Sequence, residues 1–360
     1  MSHWVSQSHQ LDGLAQAVGA APIALDTEFI RERTFHPKLA LVQVRAAGGE
    51  ELLVDPLAVT CGGALRELLQ SPVLKLMHSP GEDLQALQRG WGVTLAAPLF
   101  DTQLAAALTG HGPGRSYQWL VEELLGVHLE KGETRSDWLQ RPLTDSQQHY
   151  AAEDVHHLHA LHERLDRRLT ELGRGDWLRQ DCERMVQAAH DDLPDPNPHL
   201  ASRSAQRMDP EQQLRLRRML RWRDETARSR DLPRSWVLDN ELVVQLALRP
   251  LSRSQFDALL DRHPRAPRRN RDPLWETLSR PIDEEERAMP LASEPDPALR
   301  APLKAMQAIV ARHAAELELP EGLLCARRHL ESLLMHRIWP EALEGWRAEL
   351  LRVELMAHLP

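Results

Sequence analysis

Residues 22–29, PIALDTEF, form an apolar run that ends in two carboxylates one residue apart. Such a run reads as a strand, and on a strand the side chains at i and i+2 point the same way. Asp26 and Glu28 therefore share one face, while Ile23, Leu25, Thr27 and Phe29 suit burial on the other. A sheet built around this strand must use one face as core and find a role for two like charges. Further strands are expected at LALVQVRA (39–46), ELLVD (51–55) and VLKLMH (73–78), with Gly48-Gly49 as a hairpin turn. Helices are expected over ALRELLQ (64–70), after Gly81-Glu82-Asp83, over DTQLAAALTG (101–110) and over SYQWLVEELLG (116–126). From Leu143 onward the pattern predicts one long helix with Thr144 as its N-cap. Strands first and helices later predict an α/β domain over residues 1–200.

DDLPDPNPHL (191–200) carries three prolines and three aspartates and reads as a linker. Beyond it the chain is almost entirely helical, with a second acidic, Pro-rich boundary over 281–302. Helical domains are expected over 203–290 and 295–360, similar enough in style to hint at a diverged duplication. Cys61, Cys182 and Cys325 lie far apart and form no CxxC pair, which gives no sign of a zinc site or a disulfide framework. No apolar stretch approaches membrane-spanning length, so a cytoplasmic protein with no membrane partner is expected. The net charge of −9 argues against nucleic acid, but its distribution does not. Residues 201–280 hold 18 arginines, no lysine and 11 acids, a net +7 between acidic flanks. Arginine forks onto phosphate, so this block is a candidate nucleic-acid surface; the bland alternative is a solvated basic helix.

Two more acidic segments accompany the strand pair. Asp83 sits in the first turn of a helix entered through Pro80-Gly81, where a carboxylate also suits the helix dipole. Tyr150 and Asp154 are four residues apart on the long helix and share a face, with small Ala151 and Ala152 allowing close approach of another element. Each segment alone has a structural reading: exposed strand-end acids, dipole compensation, a capped core tyrosine, a helix salt bridge. Taken together, the four acids can hold two divalent metals around a phosphodiester. Hard oxygen donors suit Mg²⁺ or Mn²⁺ rather than zinc.

ALDTEFIRERTFHPKLALVQV (24–44), HSPGEDLQAL (78–87) and RSDWLQRPLTDSQQHYAAEDVHHL (135–158) resemble the ribonuclease D family, in the DEDDy branch of 3′–5′ exonucleases. The resemblance spans nearly the full chain. It implies an RNase H-like mixed sheet flanked by helices, followed by two all-α domains similar to the helicase-and-RNase-D C-terminal (HRDC) domain. It implies that Asp26, Glu28 and Asp154 bind the first of two divalent cations, with Asp26 bridging to the second and Asp83 supporting it. Tyr150 matches the residue that positions the attacking water. The implied activity is removal of 3′-terminal nucleotides from tRNA precursors and other structured RNA, releasing 5′-nucleoside monophosphates. A DNA-directed exonuclease and a non-catalytic RNA-binding scaffold are the alternatives, since such a site does not itself see a 2′-hydroxyl. A monomer is expected.

Other residues carry weaker signals. Asp101 is expected to cap or brace the helix it begins rather than bind metal. Phe29 and Phe35 suit either stacking on a terminal base or the core. His78 is a candidate substrate contact beside Asp83. His149, His156, His157, His159 and His162 are expected on a solvated face. Arg215, Arg218 and Arg221 on one helix, and Arg268 and Arg269 in a loop, are the candidate RNA contacts.

Overall fold

The computed structural model describes residues 2–130, 132–133, 136–293 and 297–359, with the side chains of Ala17 and Arg268 outside the described set. The chain divides into two compact units. Unit 1 comprises residues 1–30, 37–191 and 298–360; unit 2 comprises 31–36 and 192–297.

Unit 1 is built on six strands: β1 (His3–Val5), β2 (Ile23–Ile30), β3 (Lys38–Ala46), β4 (Glu51–Val54), β5 (Lys75–Met77) and β6 (Leu99–Asp101). They form one mixed sheet in the order β1-β4-β3-β2-β5-β6. β2 pairs antiparallel with β3 and parallel with β5, which makes it an interior strand. In that register Asp26 lies opposite Gln43 and Glu28 opposite Leu41, with a register shift just after Glu28. β1 and β6 go beyond the expected strands; at three residues each they are too short to show a period.

The helices of this unit are α1 (Leu14–Val18), α2 (Gly63–Leu69), α3 (Gly81–Trp91), α4 (Thr102–Leu108), α5 (Tyr117–Leu125), α6 (Asp145–His156), α7 (Leu158–Glu171) and α8 (Gly175–Asp191). One face of the sheet, through Ile23, Leu25, Val42 and Val44, packs with Leu84 and Leu87 of α3 and Leu161 and Leu165 of α7. On the other face Ala151 and Ala152 of α6 press onto Leu41 and Leu53, with Trp138 beside them. Small residues there let the helix lie close to the sheet.

The expected long helix is two helices. Thr144 does cap the first, in a reciprocal capping box with Gln147. At His157 the run breaks, because the Tyr117 hydroxyl enters the ladder: it donates to Glu153 O at 2.8 Å and accepts from His157 N at 3.0 Å. An inserted hydroxyl of this kind replaces the i→i−4 bond and turns the axis.

Residues 298–360 belong to unit 1, although the sequence suggested a separate domain over 295–360. Their helices α15 (Arg300–Glu316), α16 (Glu321–Leu324), α17 (Arg327–His336) and α18 (Trp346–Ala357) share its core cluster; the helices between, α9 to α14 over residues 210–287, belong to unit 2. Trp346 stacks on Trp177 of α8 at 4.5 Å and 8°. Arg347 clasps Asp181 with contacts of 2.6 and 2.9 Å. Arg174 ties Leu108 O to Leu317 O.

Unit 2 contains α9 (Pro210–Arg230), α10 (Arg234–Val237), α11 (Asn240–Ala247), α12 (Arg253–Arg262), α13 (Arg271–Ser279) and α14 (Glu284–Arg287). Asp209 caps α9 in a capping box with Gln212, and Pro210 opens the first turn. Leu216 and Met219 of α9, Leu242 and Leu246 of α11, Phe256 and Leu274 form its core. Phe35 is buried here rather than available to a base: Ala227 and Val237 enclose it, and the Arg228 and Arg234 guanidinium groups lie 4.8 and 4.6 Å from its ring. Asp231 accepts from both Phe35 N and His36 N. Among the described residues no helix is long and apolar enough to cross a membrane.

Candidate active site

Three elements of unit 1 deliver the four carboxylates to one place. Strand β2 carries Asp26 and Glu28 on the face that α6 covers. Helix α6 brings Asp154 and, one turn earlier, Tyr150, near enough for each to influence the other's titration. Helix α3 comes from the opposite layer, and its first turn presents Asp83, 8% exposed. Thr27, between the two strand acids, donates to Asp83 at 2.5 Å and so ties α3 to β2. The turn before α3 is held by Asp101, which accepts from Ser79 N at 2.8 Å and from Gln103 N at 2.9 Å, at once a brace and the cap of α4.

The carboxylates raise one another's proton affinity. Burial, then Asp83, Asp154 and Glu28, hold Asp26 well above the carboxylate range. Burial, then Asp154 and Asp83, push Glu28 up to about 9. Burial raises Asp83 to about 6, against the opposing bond from Thr27. Burial and Glu153 raise Asp154 to about 7. Every neighbouring charge acting on Asp26 and Glu28 is another carboxylate. Such a cluster is costly unless a cation offsets it, and the donor set is all hard oxygen, as a divalent ion such as Mg²⁺ or Mn²⁺ prefers. The donors fit the ions. Among the described residues, a group of three or more ligating side chains with atoms all within 4.8 Å of one another is found at Asp239, Glu241 and His263 in unit 2, and not among these four acids. There Asp239 caps α11 and Arg265 stands 3.5 Å away, so a helix cap accounts for it.

A 3′–5′ exonuclease family profile matches residues 2–170. Ribonuclease D of Xanthomonas oryzae pv. oryzae is 49% identical over 363 residues, covering 100% of this chain and 99% of that protein. Ribonuclease D of Escherichia coli is 32% identical, covering 96% and 95%. This chain belongs to the ribonuclease D family. In fold it is similar to the crystal structure of E. coli RNase D, described as an exoribonuclease involved in structured RNA processing, with a TM-score of 0.85, 29% identity, and coverage of 99% of this chain and 98% of that one. The chain is thus a 3′–5′ exoribonuclease of a fold that uses divalent metal ions, with helical C-terminal segments that fit the HRDC pattern.

Three residues around the ribonuclease D site gave no signal in the sequence. Gly132 lies so close to Tyr150 that an added Cβ would stand 1.7 Å from its ring. Tyr117, which breaks the α6–α7 run, feels the charges of Asp154 and Asp26. Thr27 was expected only to pack.

Other expected residues are placed differently. Phe29 is half-buried against the main core. His78 binds Thr102 Oγ1 at 2.9 Å and faces the Tyr117 ring, and burial lowers its pKa to about 4, so it is a neutral brace. Arg215 and Arg218, expected as RNA contacts, are instead buried and engaged within unit 2. Arg215 is 8% exposed and donates to Ala247 O, while Arg218 is 6% exposed and bonds Glu286 and the Arg280 and Pro281 carbonyls. Arg221 and Arg269 are exposed; the side chain of Arg268, like Arg135, lies outside the described residues. The histidine run is not simply solvated: His159 bonds Pro22 O at 3.0 Å, His162 packs edge-on to Phe100, and His156 pairs with Glu51.

Proposed function

We propose that this 3′–5′ exoribonuclease removes 3′-terminal nucleotides from tRNA precursors and other structured RNAs by two-metal-ion hydrolysis, releasing 5′-nucleoside monophosphates. One observation carries the mechanism: four carboxylates from three elements lie near enough to raise one another's proton affinity, and every charge acting on Asp26 and Glu28 comes from within that set. Asp26, Glu28, Asp83 and Asp154 would hold two Mg²⁺ or Mn²⁺ ions. Such ions supply the acidity that makes water a nucleophile at neutral pH and the charge that stabilises a departing 3′ oxygen. Tyr150 orients the attacking water. Burial and the Asp154, Glu28 and Asp26 charges raise its pKa, so it keeps its proton and acts as a hydrogen-bond donor, not a base. Thr27 keeps Asp83 in place, and the Asp101 brace fixes the turn from which α3 starts.

In this reading the helical stretch 203–290 guides RNA through exposed arginines such as Arg221 and Arg269. The enzyme works as a cytoplasmic monomer. The test is release of 5′-monophosphates from a 3′-extended tRNA precursor and a matched DNA, with Mg²⁺, Mn²⁺ or EDTA, by wild type and Asp26→Asn. Stepwise, metal-dependent shortening of the RNA, lost by orders of magnitude in the variant, is expected. Equal or faster shortening of DNA would reassign the substrate. No shortening of either would leave a binding scaffold.

A further inference from the structure

Gln43 is a residue of unit 1 whose surroundings do not explain it. Its side chain is fully buried, yet neither Nε2 nor Oε1 has a hydrogen-bond partner. A buried primary amide left this way is costly, and such orphans are rare enough to need a reason, such as a catalytic role or a group bound only at work. The register supplies one. Gln43 on β3 is directly opposite Asp26 on β2, and opposite residues of an antiparallel pair project on the same face within about 4.5–5.5 Å at Cβ. Its other cross-strand neighbour is Leu53 of β4, and Leu41, Leu53, Ala151 and Ala152 form an apolar cluster on that face beside the acids. Asp26 is therefore the polar side chain set squarely across from the amide.

We infer that Gln43 is a positioning residue for ion binding: its Nε2 donates to the Asp26 carboxylate when divalent ions hold that carboxylate ionised. This rests on the reading of the four carboxylates as the ion site. A carboxylate that binds an ion spends only part of its acceptor capacity there, and a neighbouring donor fixes its orientation. Gln43 suits that role better than a cation would. A lysine or arginine at this position would neutralise Asp26 permanently and compete with the ions, whereas a neutral amide orients the carboxylate without displacing them. The buried setting makes the single donor more effective than it would be in water.

Calorimetric titration with Mn²⁺ tests this on wild type, Gln43→Met, which keeps the length and removes the amide, and Leu53→Met, a control on the same face. Thermal melts in EDTA run alongside. Gln43→Met is expected to bind Mn²⁺ about 10- to 100-fold more weakly, while melting in EDTA at or above the wild-type temperature, because the orphaned amide is gone. Leu53→Met should keep wild-type affinity. Wild-type affinity in Gln43→Met would overturn the inference while leaving the ion site intact. A lower EDTA melt in that variant would mean the amide serves packing and would also overturn it. Absence of Mn²⁺ binding to wild type would instead sink the ion-site reading itself.

Discussion

At the scale of single residues, Gly132 has the least room. A side chain there would meet the Tyr150 ring at 1.7 and 1.9 Å, far inside contact distance. Gly132→Ala should displace the ring and its hydroxyl by a fraction of its width. A misplacement of about 1 Å in a reacting group costs about 100-fold in rate, so kcat should fall by that order while Mn²⁺ affinity, read by calorimetry, stays put. Full kcat in the alanine variant would show that the ring position is not critical. The carboxyls set a pH dependence as well. Groups whose folded pKa is raised stabilise fully below the ordinary carboxylate range, and that stability is lost as pH rises through about 6 for Asp83, 7 for Asp154 and 9 for Glu28. The interval from about pH 6.5 to 8 crosses the Asp154 value and lies between those of Asp83 and Glu28. In EDTA the melting temperature should fall across that window, and saturating Mn²⁺ should raise it most at the upper end, because ion binding releases protons. A flat profile with no ion effect would contradict the cluster. Much of this site was legible in advance. Strand and helix periods placed Asp26 beside Glu28 and Tyr150 beside Asp154. Thr27, Gly132 and Gln43 were not legible, because their partners come from other segments at distances no local period encodes. Arg215 and Arg218 misled for the same reason: a charge count records arginines without saying which are spent on carbonyls and on Glu286.

At the scale of elements, the junction of α6 and α7 shows where local pattern fails. Leu158, Leu161, Leu165 and Leu169 continue a helical stripe past the break, so the sequence predicts no interruption. The interruption comes from Tyr117, on a helix some forty residues earlier in the chain. Tyr117→Phe should leave Glu153 O and His157 N without the shared hydroxyl. Either the run straightens or two backbone groups lose a partner, at a cost of about 1–3 kcal/mol. A lower melting temperature with faster amide exchange at His157 is expected, together with reduced kcat, since Asp154 lies in the last turn before the break. Unchanged exchange at His157 would argue that the hydroxyl only fills space. β1 and β6 were missed for a plainer reason: three-residue strands carry no alternation to detect, and pairing with β4 and β5 makes them strands.

At the scale of the whole molecule, unit 1 is discontinuous in sequence, and its last portion follows unit 2. The linker reading at 191–200 coincides with the longer departure, since α8 ends at Asp191 and unit 2 resumes at Asp192. The return at 298 was not legible, because nothing in a helical stripe says which core it will join. Trp177, Asp181 and Arg174 show that it joins this one. Deleting residues 298–360 should therefore lower the melting temperature of the exonuclease unit and expose its apolar surface to a hydrophobic dye, not merely weaken RNA binding. An equally stable truncated chain would refute this. Unit 2 has the converse feature, since it incorporates residues 31–36 from between β2 and β3. A ribosome delivers this chain from its N-terminus, so all four acids emerge by residue 154, long before the segment that completes their scaffold. The segment that completes the nuclease core is thus made only after residues 192–297 of unit 2, so the two ends of one core are joined across an intervening unit that is synthesised between them.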